Sequence, residues 1–198
     1  MTHILAEKIT KYLIKNQVGE ANSEAMYIYG IEIMIEKFII YSTLLVCALY
    51  LKLLIPSILF ILFFVLLRGY TGGFHASTFI GCLTGSILMY MVCTLILAPI
   101  MLDNEVFLLL GLIITVAVIL MFSPMNHPNI NMNMEEFNNC KDKTKVILVL
   151  EIVFLTGGRI FKLNQLYIVL PFLGMLMCAV LLVLAKIIKQ EVKMYEDI

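Results

Sequence analysis

Charge is what this sequence has least of. Only 14% of its 198 residues are Asp, Glu, Lys or Arg, and 14 basic residues balance 14 acidic ones. A soluble domain is about one quarter charged and about half apolar. Here 62% of residues are hydrophobic, which leaves too little polar surface to wrap the chain in water. The zero balance excludes a nucleic-acid binder that works through net charge. Disorder is excluded because the chain is apolar almost throughout. No alternation marks a β-barrel, and no internal repeat emerges. Residues 1–20 lack the apolar run of a signal peptide, so no cleavage is expected. What remains is an all-α, polytopic integral membrane protein. It is expected to be a single membrane-embedded domain over 1–198.

A helical span needs about 20 mostly apolar residues, and the few charges divide the chain into pieces of that order. In residues 1–20, Ile4, Leu5, Ile9, Tyr12 and Leu13 share one side at helical spacing, among Lys8, Lys11 and Lys15. That pattern predicts an amphipathic helix on the membrane surface. A transmembrane bundle over 28–188 follows. Its expected spans are 28–50, 53–67, 79–98, 106–122, 146–161 and 163–185. No charged residue occurs from Gly69 to Leu102. Residues 123–145 read as a long polar loop, and 186–198 as a charged tail.

Six spans put both termini on one side. If that side is cytoplasmic, ten of the 14 Lys and Arg residues are inside and three outside, with Lys37 inside a span. Basic residues accumulate on the cytoplasmic side. The expected location is therefore a cell membrane, with both termini and the Arg68–Thr78 loop in the cytoplasm.

Cys47, Cys93 and Cys178 fall well inside spans, where cysteine acts as a small hydrophobe. Cys140 falls in the cytoplasmic loop, where thiols stay reduced. No CxxC occurs, so neither a zinc site nor a disulfide framework is expected, and no metal or other cofactor.

Cys82 has different neighbours. The stretch from Arg68 reads RGYTGGFHASTFIGC, with His75 seven residues before Cys82 and Gly72, Gly73 and Gly81 around them. A free thiol is only a few per cent thiolate at neutral pH, and a nearby imidazole can take its proton. In one straight helix the pair would stand about 10.5 Å apart along the axis, beyond a hydrogen bond of about 3 Å. A working pair needs a chain that bends back, which the glycines permit. His3 and His127 are the alternative partners. The bland alternative is a loop histidine and a helix-start cysteine that co-occur by chance.

Arg68-x-x-x-Gly72-Gly73-x-His75 followed by Cys82 resembles the accessory gene regulator B (AgrB) family, bacterial membrane cysteine peptidases of quorum sensing. Tyr29-Gly30-Ile31-Glu32 resembles a recurring phrase of that family. Ser123-Pro124 with Pro128-Asn129-Ile130 is similar to its proline loop, with Ser where Ala is commoner. The basic loop ending near Lys145 also fits. The resemblance implies a substrate: a short amphipathic precursor peptide (AgrD-like) whose C-terminal tail is cleaved. The acyl group is held as a thioester on Cys82, with His75 as base, and is then cyclised by the peptide's own Cys or Ser to a (thio)lactone signal. It also implies a homodimer. Arg68, Gly72 and Gly73 match motif positions. Arg68 would favour the thiolate by its charge, dock an acidic tail or anchor a span end. Gly72 and Gly73 would offer N–H groups to an oxyanion or make the turn, and the turn is the preferred reading.

Three acids lie within spans, where a charge costs about 2.5–3.5 kcal/mol at mid-bilayer on insertion scales. Glu36 beside Lys37 reads as a structural pair, Glu151 as a residue near the headgroups, and Glu32 as the best candidate for a buried polar, supporting role. Lys141, Lys143 and Lys145 read first as a topology signal that attracts anionic lipid, and second as a dock for an acidic precursor segment. The alternative function is a small transporter or exporter without covalent chemistry. The absence of two related halves counts against it. A structural membrane subunit is the third class.

Overall fold

The computed structural model describes residues 2–16, 23–76, 78–126 and 132–190. Among these, every regular element is helical: α1 (Thr2–Lys15), α2 (Glu24–Tyr50), α3 (Leu54–Thr71), α4 (Phe79–Val92), a π-helical turn (Cys93–Leu97), α5 (Ala98–Asp103), α6 (Glu105–Phe122), α7 (Met134–Ile160) and α8 (Leu166–Ile187). Five helical stretches are long and apolar enough to cross a membrane: 24–50, 54–71, 79–103, 105–122 and 166–187. The chain is thus a polytopic, all-α membrane protein, as composition predicted. The sixth expected span lies in the second half of α7, which also carries Glu151 and Arg159.

Two units make up the chain, 1–47 and 48–198. In the first, α1 exposes Ile4, Leu5, Ile9 and Tyr12. Lys11 pairs with Glu7 one turn earlier at 2.7 Å. Glu32 on α2 accepts from Thr2 Oγ1 at 3.2 Å and lies 2.9 Å from His3 Nδ1.

In the second unit α8 is the central helix. Its residues Ile168 to Met175 are all buried, and α3, α5, α6 and α7 pack on it. The largest of these interfaces is with α3, and a glycine makes it close. A Cβ on Gly174 would collide with the Phe60 carbonyl and stand 3.3 Å from the Phe64 nitrogen. Cys178, one turn on, donates its thiol to the Phe64 carbonyl at 3.4 Å. Small residues that let backbones approach are the usual glue between helices in lipid. Tyr90 of α4, fully buried, meets Ser57 of α3 at 2.6 Å and packs edge-on against Phe60.

The π-helical turn has a local cause. Pro99 has no N–H and its ring crowds the preceding turn, so the helix widens just before it, with Ala98 N bonding Cys93 O. Single π turns of this kind are a known answer to such a conflict.

Three helices end in the same way. After α2, α7 and α8 stand Lys52, Lys162 and Lys189, each with a left-handed φ of 54° to 58°. At each end the next residue's N–H reaches back to the last turn: Leu53 to Ala48, Leu163 to Gly158 and Gln190 to Ala185. This is the Schellman arrangement, with lysine in the place glycine usually takes.

Two expectations need correction. Residues 134–145 are not loop but the first turns of α7. Asn133 caps them: its side chain accepts from Glu136 N, and the Glu136 side chain accepts from Asn133 N. That reciprocal box is a helix-start signal, here overridden by the polar composition. Nor do Glu36 and Lys37 form an ion pair among the described residues. Neighbours in sequence point about 100° apart on a helix.

Replacing Gly174 by Leu should cost about 1–3 kcal/mol through overpacking. In detergent this appears as a lowered unfolding temperature. An unchanged temperature would contradict the close α3–α8 crossing.

Candidate active site

The segment after α3 is not helical. Residues 72–76 follow the end of α3 with no regular secondary structure, and His75 lies among them, exposed to its surroundings. Helix α4 starts at Phe79, so His75 and Cys82 do not share one helix. The Thr78 side chain caps α4 by accepting from Gly81 N at 3.1 Å. Cys82 sits half-buried in the first turn, with its N–H on the Thr78 carbonyl at 3.0 Å. A helix N-terminus carries roughly half a positive charge and favours a neighbouring anion.

What fixes this segment is a set of backbone bonds to three other parts of the unit. The Arg68 guanidinium, one turn before the end of α3, donates through Nη1 to the Gly72 carbonyl and through Nη2 to the Phe74 carbonyl. Phe74 N donates to the Leu181 carbonyl of α8 at 3.0 Å, and Met125 N donates to the Thr71 carbonyl at 2.9 Å. His75 N donates to Gln190 Oε1 at 3.2 Å, and Gln190 Nε2 donates to the His75 carbonyl at 3.0 Å. Backbone polar groups near lipid must find such partners, and here each bond also sets the path of the chain.

The two glycines are required by this path. Gly72 has φ +67° and Gly73 φ +122°, a region L-residues rarely enter. Space is also lacking. A Cβ on Gly72 would stand 2.7 Å from the Met125 carbonyl. One on Gly73 would collide with Arg68 Nη1 and press on the Leu181 carbonyl at 3.3 Å. These contacts account for the pair through the turn and the close approach.

Arg68, Gly72, Gly73 and His75 are therefore brought together in one tied segment, with Cys82 following at the start of α4. Glu32 belongs to the first unit, where it is engaged with Thr2 and His3. It is not the buried acid of the three. That is Glu151 on α7, 3% exposed, with neither carboxyl oxygen hydrogen-bonded among the described residues. Helix α7 starts at Met134 rather than near 146, so Glu151 is well inside the helix and on its packed face. The second reach for a base, His127, lies outside the described residues, as do Pro128, Asn129 and Ile130 of the proline loop.

The basic cluster lies on the first half of α7. Lys145 pairs with Asp142 at 2.9 Å, and the bond and charge of Lys145 hold the Asp142 carboxyl below the usual carboxylate range. Lys143 stands over the Tyr70 ring, 5.3 Å from its centroid, two residues from Arg68. Sequence reading missed this contact, and it missed Gln190, Leu181 and Met125. At the other end of α8, Met101, Leu108, Leu163 and Val169 line a cavity of about 230 Å³, whose lining also includes Arg159 and Glu105, an ion pair at 2.7 Å.

A multi-pass helical protein of the membrane, with a histidine-bearing segment tied down ahead of a helix-start cysteine, is the class that fold and site define. The family model of accessory gene regulator B matches residues 6–188. The chain belongs to that family, which acts in the processing of quorum-sensing peptides. Neither the curated proteins nor the solved structures gave a match.

Arg68→Lys should loosen the segment. A single ammonium cannot present the planar fork that reaches two carbonyls, and a buried polar group left unpaired costs about 1–3 kcal/mol. Hydrogen exchange at the Phe74 amide should accelerate, because its bond to Leu181 depends on the segment staying seated. Wild-type protection would contradict the role given to Arg68.

Proposed function

We propose that the chain is a membrane cysteine endopeptidase, one functional domain over 1–198, that cleaves the C-terminal tail of a short amphipathic precursor peptide and cyclises the remainder. The observation that carries this reading is the placement of His75. It is held in a non-helical segment ahead of the first turn of α4, which bears Cys82, within a chain of the accessory gene regulator B family.

The steps follow from that placement. His75 takes the Cys82 proton. The thiolate attacks the scissile carbonyl, and the tetrahedral oxyanion collapses as the imidazolium gives its proton to the leaving amine. The C-terminal tail departs, and the rest of the peptide stays on Cys82 as a thioester. A cysteine or serine side chain of the peptide then attacks that thioester, with His75 taking its proton. The Cys82 sulfur leaves and recovers a proton from the imidazolium. When the attacking group is a thiol, one thioester replaces another at little net cost. Water would instead give a linear acid, so the site must hold the peptide nucleophile close and keep water out. A site at the rim of a bundle serves both needs.

In this reading Arg68, Gly72 and Gly73 support the pair by shaping the segment, and Glu32 supports α1 from α2. The rim bearing His75 faces the cytoplasm, as does Cys140, and α1 lies on the membrane surface beside the precursor's own amphipathic helix. The homodimer implied by the family is part of the proposal.

With the protein in vesicles and its precursor added, a peptide adduct should appear by mass on Cys82. Cys82→Ser should insert normally, form no adduct and lose processing, since a hydroxyl is far harder to deprotonate than a thiol. Cys47, Cys93, Cys140 and Cys178 to Ala should all remain active. Processing by Cys82→Ser at the wild-type rate would overturn the reading.

The orientation has its own test. Cys140, or a cysteine introduced at Phe74, should react with a membrane-impermeant thiol reagent after permeabilisation alone. Labelling of intact cells from outside would reverse the topology.

A further inference from the structure

Gln190 closes the chain of bonds on His75. Its position is set by the end of α8. Lys189 turns left-handed at φ 58°. Lys189 N bonds the Lys186 carbonyl at 3.2 Å, and Gln190 N bonds the Ala185 carbonyl at 3.0 Å. These two bonds complete a Schellman motif and leave Gln190 at its outermost position. A side chain there leaves the helix axis from a fixed backbone. It is half-buried, and its carboxamide lies along the backbone of His75.

The match is reciprocal: Oε1 accepts from His75 N at 3.2 Å and Nε2 donates to His75 O at 3.0 Å. An amide side chain is the group that can do both at once. A carboxylate would keep the acceptor and set a second oxygen against the carbonyl. An ammonium would keep the donor alone. The bonds engage the backbone of His75 rather than its imidazole, so they hold the ring's attachment point without using its nitrogens. Gln190 also lies beyond the 6–188 segment that matches the family.

We propose that Gln190 is a positioning residue: the carboxamide at the end of α8 grips both backbone groups of His75 and so sets where the imidazole stands relative to Cys82. The proposal rests on the peptidase reading. A small misplacement of a catalytic group is enough to slow chemistry severely, and two neutral hydrogen bonds hold this one.

The test compares wild type, Gln190→Ala and Gln190→Glu in vesicles with the precursor peptide. Both variants should form the Cys82 adduct about tenfold more slowly, with KM for the precursor and the unfolding temperature unchanged. Hydrogen exchange should separate them. The His75 amide should exchange faster in Gln190→Ala, and stay protected in Gln190→Glu, which keeps the acceptor. Adduct formation at the wild-type rate in both variants, while Cys82→Ser is inactive, would overturn the positioning role and leave the peptidase reading standing. Equal His75 exchange in wild type and Gln190→Ala would overturn it too. An active Cys82→Ser would overturn the peptidase reading, and the positioning role would fall with it.

Discussion

The site depends on one guanidinium bound to two carbonyls. Arg68 stands in the last turn of α3, where a cation already suits the helix dipole, and donates to Gly72 and Phe74 beyond the helix end. That fork ties the connection that follows α3 to the helix it leaves. It also dictates the glycines. The guanidinium occupies the space into which a Gly73 side chain would project, so arginine and glycine belong to one packing arrangement. The motif read from the sequence as a string is, in three dimensions, a single contact.

The rest of the unit supplies the frame for that contact. Helix α8 runs buried through the bundle, and Gly174 brings it against the α3 backbone. Because α3 and α8 cannot slide past each other there, the end of α3 that carries Arg68 and the end of α8 that carries Leu181 and Gln190 keep a fixed spacing. Phe74 and His75 bond across that spacing. The 123–126 segment adds a third support through Met125. A segment outside any helix keeps a fixed path where its N–H and C=O groups are met by protein.

Much of this could be read from residues. Hydropathy located five of the six expected spans because lipid imposes length and composition directly on the sequence. The distance between His75 and Cys82 along a straight helix required a break, and α4 begins after His75. What could not be read is whatever depends on partners far away in the chain. Leu181 acts through its carbonyl, which every residue has. Gln190 is one polar residue at the start of a charged tail. The left-handed lysines were hidden because glycine is the usual marker of that conformation. Burial of Glu151 rather than Glu32 depends on which face of each helix packs, and the short charged helix halves carry little periodicity. The start of α7 was legible in Asn133 and Glu136, a local signal that composition outweighed.

The central claim is that His75, held by this frame, sets the reactivity of Cys82. The rate at which iodoacetamide alkylates Cys82 at neutral pH, in protein where the other four cysteines are Ala, measures that reactivity without any precursor. The account predicts a rate about tenfold or more lower in His75→Ala than in the parent, since general-base assistance commonly contributes at least that much. Equal rates in the two proteins would contradict it.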